Sequence, residues 1–491
     1  MSSKSSILLA CSALVLSACG TSGSSSSDES MVQPGTVNLG GPAPTGGSAT
    51  LNADGAGGPS STRSNETAGS GAQAARQYLS FVRRRTLPDN AERPVIADII
   101  VYDFRDDAEI NLTNGSQDVD CISRLCSVNP ELTWVAWLDP DRNKLKVAPI
   151  DFDNDTVKTD GDNIREVSED VDRVQFMTYK PDAAAPGIEL LVYTKASPTS
   201  RQVIVEPAAG PGSAGCATFG DGCKTIVGTV NQGGAFRVTK NGQRIVLIDI
   251  DLGTMTIKLY ELATGLEQTI YQFGQQNTAG SQWSGRLPVA LSPDSTFLIV
   301  GTNDEKLWKI NRVPVGDNVQ LTTQDLFEVR NEKGPDGQPV ACGRDSNKAY
   351  WEIMLNPLFT ADSKSVYLLV HGDCTGGSRQ DYDIMKLDAD LASGDWKNVT
   401  NNKPEAVFAH HEINYFDLSA DGTKIAFVSE KPNKSNMDSI WLIDSETGAY
   451  DCSRVGMPAG QRTDGKALCE FITYNPEKGT VNHQHVRFHY R

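Results

Sequence analysis

The chain has 491 residues and a formal net charge of −17, from 45 Lys and Arg against 62 Asp and Glu. That acidity excludes nucleic acid and anionic lipid headgroups as expected partners, because both select a positive face. The stretch beyond residue 76 is long enough for one large β-rich unit or two ordinary domains, and one unit is expected.

The first element is an export signal. Lys4, the apolar run Ile7–Leu16 and the small residues Ser17 and Ala18 supply its basic start, apolar core and cleavage site. Leu16-Ser17-Ala18-Cys19 reads as a lipobox, so residues 1–18 are the expected signal peptide and Cys19 the expected lipidation site, acylated on its thiol and amine. The run is far shorter than the ~20 apolar residues that cross a bilayer, and no later segment approaches that length, so lipid is the expected membrane attachment. Gly20, standing where Asp does not, resembles the sorting signal of outer-membrane lipoproteins in Gram-negative bacteria. It implies a folded part in the periplasm or at the cell surface.

Residues 19–76 are mostly Ser, Gly, Thr, Ala and Pro, with an unbroken serine run from Ser24 to Ser27. Such a composition buries too little apolar surface to offset the entropy of ordering, which predicts a disordered tether. A flexible linker of this length has a mean span of about 40 Å. The folded unit is therefore expected over residues 77–491, opening with at most a short element around Gln77–Arg85, whose Arg83-Arg84-Arg85 run reads as solvated.

A unit of short strands then recurs. Ile96–Asn114 reads as the later half of one unit. Two weaker copies follow, one turning at Asp139-Pro140-Asp141 between Trp134–Trp137 and Leu145–Ala148, the other with Pro181-Asp182 ahead of Leu190–Tyr193. Clearer copies carry Val238-Thr239-Lys240-Asn241-Gly242 before Ile245–Ile248, Leu291-Ser292-Pro293-Asp294 before Phe297–Val300, and Phe359-Thr360-Ala361-Asp362 before Val366–Val370. The clearest runs Tyr415–Leu418, Ser419-Ala420-Asp421-Gly422, Ile425–Ser429 and then Ile440-Trp441-Leu442-Ile443-Asp444, closed by Thr447-Gly448. Asp141, Asp182, Asn241, Asp294, Asp362 and Asp421 are spaced by 41, 59, 53, 68 and 59 residues, which fits four short strands per unit. A tight reversal needs a residue that tolerates positive φ and a side chain that bonds its own backbone, hence the Asp-Gly pattern. Val481–Arg491 reads as an opening strand that completes the first unit. The expected fold is all-β, a β-propeller of seven blades closed by its terminal strands, with six or eight left open because insertions such as Gly334–Ala349 blur the boundaries.

The Leu-Ser-Pro/Ala-Asp-Gly/Ser turns, their aliphatic strands and the later Ile-Trp-Leu-Ile-Asp resemble the WD-repeat-like blades of TolB-type β-propellers over about residues 95 to 491. Where TolB carries a folded α/β domain ahead of the propeller, this chain has the tether.

Ten cysteines are present. Cys11 leaves with the signal and Cys19 takes lipid. The rest fall as neighbours, Cys121 and Cys126, Cys216 and Cys223, Cys342 and Cys374, Cys452 and Cys469, and an even number in an exported chain implies disulfides. Pairing of each with its neighbour is the simplest arrangement. Trp308 and Trp441 occupy equivalent places in their repeats and are expected in the core.

No Gly-x-Ser-x-Gly elbow and no phosphate-cradling Gly-x-x-x-x-Gly-Lys motif is present, so no catalytic residue and no cofactor is assigned. Asp151, Asp153 and Asp155 alternate as in calcium loops, but Thr156 stands where an EF-hand loop needs Gly, so a solvated loop is expected. His483, His485 and His489 share one face of a regular strand, which makes His483 and His485 candidate ligands for a divalent metal. The expected function is that of an outer-membrane lipoprotein whose propeller binds an envelope protein or peptide. The alternative is a metal-dependent lyase or hydrolase acting on oligosaccharides at the channel.

Overall fold

The two ends of the folded chain meet in one sheet. In the computed structural model, Thr480–Tyr490 pairs antiparallel with Gln77–Thr86, which pairs with Val95–Asp103 and then Ala108–Asn111. The structure describes residues 76–86, 95–113, 127–139, 144–151, 156–157, 163–181, 185–213, 215–216, 223–231, 234–239, 241–251, 254–275, 289–304, 307–316, 321–325, 357–372, 381–392, 396–400, 413, 415–431, 434–453, 460–461, 467–472 and 480–490.

The terminal sheet is blade 1. Blade 2 is built on Ser127–Val128, Trp134–Asp139, Lys144–Asp151 and Arg165–Ser168. Blade 3 runs from Val171–Tyr179 out to Thr225–Asn231, and blade 4 from Ala235–Val238 out to Leu266–Gln275. Blade 5 starts at Val289–Leu291, blade 6 at Leu358–Phe359 and blade 7 at Tyr415–Leu418. Among the described residues six sheets are four-stranded and blade 2 is five-stranded, beside a two-stranded ribbon of Gly460–Gln461 with Ala467–Leu468, so the ring has the expected seven blades.

The core is a set of layers between blades. Tyr78, Val82 and Ile99 of blade 1 pack on Val135 and Trp137 of blade 2. Leu190 and Val192 of blade 3 pack on Phe236 and Leu247 of blade 4, and Phe297 and Ile299 of blade 5 on Val366 and Leu368 of blade 6. Leu79, Phe81 and Ile100 of blade 1 meet Ala426, Val428 and Leu442 of blade 7, which closes the circle. Strands such as Arg244–Asp251 are continuous apolar runs because a blade has a neighbour on each face, unlike a half-solvated sheet that alternates. Trp441 is fully buried, stacked on Phe427 and edge-on to Tyr450. The side chain of Trp308 lies outside the described residues.

The repeat turns share one geometry. In blade 7, Ser419 Oγ donates to Asp421 Oδ1 at 2.6 Å, and the same oxygen accepts from Thr423 N. Ser292 with Asp294 and Thr360 with Asp362 repeat the first contact at 2.6 Å, and Thr239 with Asn241 at 2.7 Å. These bonds hold the Asp294, Asp362 and Asp421 carboxyls below their usual range: burial opposes the shift at Asp294 and Asp421, while the Thr360 hydroxyl leads it at Asp362.

Two expectations change. The short opening element is a ten-residue strand, Gln77–Thr86, and the second strand of blade 1. Arg83 belongs to that strand and is ion-paired with Glu109 at 2.8 Å, so it is part of a blade and not a solvated start to the fold. The chain enters the strand through Arg76, held by Asp103 and Asp106. Gln77 lies opposite Tyr490, at the end of the ring where innermost strands finish and the repeat turns sit.

Candidate functional site

Seven innermost strands surround the axis, and their polar side chains define the channel. Arg237 of blade 4 donates through Nη1 to Val289 O of blade 5 at 2.8 Å and to Pro357 O beside blade 6 at 3.5 Å. One guanidinium thus links three blades. Asp417 of blade 7 accepts from Phe488 N of blade 1 at 2.8 Å, next to Arg487. Gln175 of blade 3 accepts from Val238 N of blade 4 at 3.1 Å. Asn129, beyond the first strand of blade 2, donates to Glu189 Oε2 of blade 3 at 2.8 Å. Burial raises the Glu189 carboxyl against the lowering bonds from Asn129 and Thr178.

Arg237, Arg487, Asp417 and Gln175 all keep partial contact with solvent, as residues lining an axial channel must. Enclosure by the ring lowers the Arg237 pKa to about 10, Arg487 lowers it further and Asp417 opposes the change. Arg237, Asp417 and Arg487 thus lie within electrostatic reach of one another near the turn end of the channel.

His483 and His489 do not share a face of the strand. A β-bulge interrupts the pairing of Gln77–Thr86 with Thr480–Tyr490 between Ser80, opposite Arg487, and Val82, opposite Gln484. The extra residue flips side-chain parity along the strand. His483 faces Phe81, with ring centroids 5.5 Å apart, and its Nε2 accepts from Arg83 Nε at 3.4 Å. His489 lies on the other face, its Nε2 2.6 Å from Ser80 Oγ. The expectation that the three histidines share a face is thus corrected by the bulge. The side chain of His485 lies outside the described residues, and no cluster of three metal-ligating side chains is found among the described residues. Burial, aided by Arg487, lowers the His489 pKa to about 3, while backbone groups of Pro130 and Asn129 act the other way. His489 is a neutral spacer between blades 1 and 2.

Cys216 is bonded to Cys223 and Cys452 to Cys469, as neighbour pairing predicts. Each bridge closes the connection between the third and fourth strands of its blade, 3 or 7. Cys19, Cys121, Cys126, Cys342 and Cys374, with Asp153 and Asp155, lie outside the described residues.

Sequence reasoning missed the channel charges. Its signal was there: Arg237 and Asp417 each stand two positions before the hydroxyl residue of a repeat turn, Thr239 or Ser419, where blades 5 and 6 have Ala290 and Leu358. A charge at an otherwise apolar position of the innermost strand marks the axis.

No family model matches the chain, and no curated protein matches it. Solved structures similar to it include TolB from Acinetobacter baumannii, with 12% identity and a TM-score of 0.35 over 76% of this chain and 78% of that one. The periplasmic gluconolactonase PpgL of Pseudomonas aeruginosa is 13% identical with a TM-score of 0.43, over 84% of this chain and 99% of that one. A putative 6-phosphogluconolactonase from Bacteroides uniformis is 10% identical with a TM-score of 0.42, over 85% and 100%. These are likenesses of fold at low identity, and no residue role is carried over from them.

Proposed function

We propose that this chain is an outer-membrane lipoprotein, anchored through Cys19, whose propeller is a binding scaffold for an envelope protein or peptide. The observation that carries this reading is how the channel side chains are engaged. Arg237 ties blades 4, 5 and 6 through backbone carbonyls, Asp417 ties blade 7 to blade 1 through an amide, and His489 is neutral against Ser80. Groups fixed in this way serve rigidity and recognition better than proton transfer, which needs a group poised near the working pH.

The lipobox and the place where the tether joins support the anchored arrangement. Arg76 enters on the face that carries the repeat turns, and the strands Leu266–Gln275, Thr322–Asp325, Ser365–Gly372 and Trp396–Asn398 end on the opposite face. That face is the one we assign to partner recognition.

The test is site-specific photo-crosslinking in intact cells, with the probe at Asp251 or Ile250 near that rim and a control probe at Thr264 on the turn face. One discrete adduct from the rim probes only, lost together with radiolabelled palmitate when Cys19→Ala is introduced, supports the reading. Labelling without an adduct from any rim position refutes the scaffold, and an unlabelled wild-type chain refutes the anchor.

A further inference from the structure

We infer that the Cys216–Cys223 bridge is a thiol–disulfide exchange site, opened in the folded protein by a dithiol, whereas Cys452–Cys469 is a fixed structural bridge. The inference does not depend on the lipid anchor or on the scaffold reading. The site lies in blade 3, between its third strand, Ser200–Pro207, and its fourth, Thr225–Asn231.

Three features favour opening of this bridge. Cys223 has φ of 61°, in the left-handed region that L side chains rarely adopt, and the bridge holds it there. Both sulfurs lie against Gly210 O, Cys216 Sγ at 3.0 Å and Cys223 Sγ at 3.5 Å. A bridged sulfur has no proton to give that oxygen but a thiol does, so the reduced pair meets an acceptor already in place, and a bridge whose reduced form is stabilised is the more readily reduced. Access is open as well: Pro211 and Gly212 are exposed, Cys216 is half-buried, and a Cβ on Gly212 would meet nothing within 4 Å. The turn keeps its place without the bridge, because Arg165 of blade 2 donates to Pro207 O and Ala208 O at 3.1 and 3.0 Å and Ser213 Oγ donates to Gly210 O at 2.8 Å. Cys452–Cys469 offers none of this chemistry. Neither of its cysteines is left-handed, Cys469 is fully buried in the apolar layer between blades 6 and 7 with Cys452 packed against it, and neither sulfur has a polar partner among the described residues. In the exchange, one thiolate of the dithiol attacks Cys216 Sγ and forms an S–S bond there as the bond to Cys223 breaks; Cys223 Sγ leaves with the electron pair and takes up a proton. The second thiolate displaces Cys216 Sγ in the same way, so the bridge gains two electrons and two protons and the dithiol is oxidised to its disulfide.

The native full-length protein in detergent is exposed to dithiothreitol and quenched at intervals with N-ethylmaleimide, and the label on each cysteine is read by peptide mass spectrometry. Cys216 and Cys223 should be labelled about tenfold faster, or more, than Cys452 and Cys469. At equilibrium in mixtures of reduced and oxidised glutathione, the first bridge should open at a ratio about tenfold less reducing than the second requires. Urea below the unfolding transition should leave the first rate unmoved, since the ring need not open for that exchange. The double variant Cys216→Ala with Cys223→Ala should stay folded and keep the slow labelling of Cys452 and Cys469. Equal rates or equal glutathione midpoints for the two bridges, or labelling of Cys216 and Cys223 only in urea that unfolds the ring, overturns the inference. A double variant that does not fold overturns it as well, because exchange in the folded protein requires a ring that survives the open bridge.

Discussion

The hydroxyl of Ser363 in blade 6 accepts a hydrogen bond from the backbone amide of Asp294 in blade 5 at 3.2 Å. Ser363 has φ of 61°, in the left-handed region, and so does Ser295 in the preceding turn, with φ of 62°. Ser295 Oγ in turn accepts from Asn241 Nδ2 of blade 4 at 2.7 Å. The equivalent positions in blades 4 and 7 are Gly242 and Gly422. Serine thus bears the cost of a left-handed backbone where its side chain reaches the preceding blade's turn.

Ser363→Ala should lower stability by about 1–2 kcal/mol, because the Asp294 amide loses its partner. Ser363→Gly loses the same bond but relieves the backbone, so its denaturation midpoint should lie between those of the wild type and Ser363→Ala. A midpoint for glycine above the wild type would show that the hydroxyl contributes nothing.

Gly242 and Gly422 share a backbone conformation but not a setting. A Cβ on Gly242 would stand 1.7 Å from Thr178 O, a backbone atom of blade 3, whereas one on Gly422 would first meet Thr360 Cγ2 at 3.6 Å. Gly422→Ala should cost only the left-handed penalty of about 1–2 kcal/mol. Gly242→Ala must push two blades apart and should exceed about 4 kcal/mol, read as loss of folded protein in circular dichroism. Similar losses at the two positions would contradict the close approach.

The turns were legible in sequence because each carries its own chemistry within five residues, as Ser419 and Asp421 do. Blade 1 was only half legible. The strand Gln77–Thr86 buries Tyr78 and Val82 on one face and Leu79 and Phe81 on the other, so it lacks the alternation that marks a strand, and its end carries three arginines. Its partner, Thr480–Tyr490, lies at the opposite end of the chain. The side-chain faces of His483 and His489 were illegible for a different reason: a bulge is a property of the pair of strands, and the regular period of two holds only without one.

Acid should weaken the ring through His489 before it reaches the carboxylates. The folded pKa of about 3 lies below the ordinary 6.5, so the unfolded chain binds the extra proton, and stability is present above 6.5 and is lost as pH falls toward 3. The slope from this residue is about 1.4 kcal/mol per pH unit. Asp294, Asp362 and Asp421 are held below 3.8 and act at lower pH, while the raised Glu189 carboxyl gains stability as pH falls and so opposes the histidine. In His489→Gln, the loss of stability between pH 6 and pH 5 seen by urea denaturation should shrink by about 1 kcal/mol; an unchanged slope would assign it elsewhere.

Glu206 in blade 3 is 1% exposed and contacts Arg165 Nη1 at 2.5 Å, Lys224 Nζ at 2.9 Å and Tyr193 OH at 3.2 Å. Burial and the Glu206 charge together raise the Tyr193 pKa, which keeps the phenol protonated as a donor. Arg165 belongs to blade 2 and also donates to Pro207 O and Ala208 O. Glu206→Ala strands that guanidinium and should cost about 3–5 kcal/mol. Lys224 is 42% exposed, so Lys224→Met should cost less than about 1 kcal/mol. Equal losses in chemical denaturation would mean that the lysine, not the inter-blade arginine, is the principal partner.

The two described disulfides should differ in the stability each contributes. Cys216–Cys223 closes a separation of 7 residues and Cys452–Cys469 one of 17, and loop-closure entropy assigns them about 2 and about 3 kcal/mol respectively. Packing widens the difference: Cys469 is fully buried in the layer between blades 6 and 7, with Cys452 against it, whereas Cys223 is 5% exposed and its partner Cys216 is only half-buried. Paired alanine variants separate the contributions, since Cys216→Ala with Cys223→Ala removes a loop staple and Cys452→Ala with Cys469→Ala removes a staple and core contacts. The second pair should show the larger fall in thermal midpoint. An equal or reversed order would mean that the connection in blade 3 is tied to the ring by more than its bridge, through the Gly210 carbonyl that both of its sulfurs approach, at 3.0 and 3.5 Å.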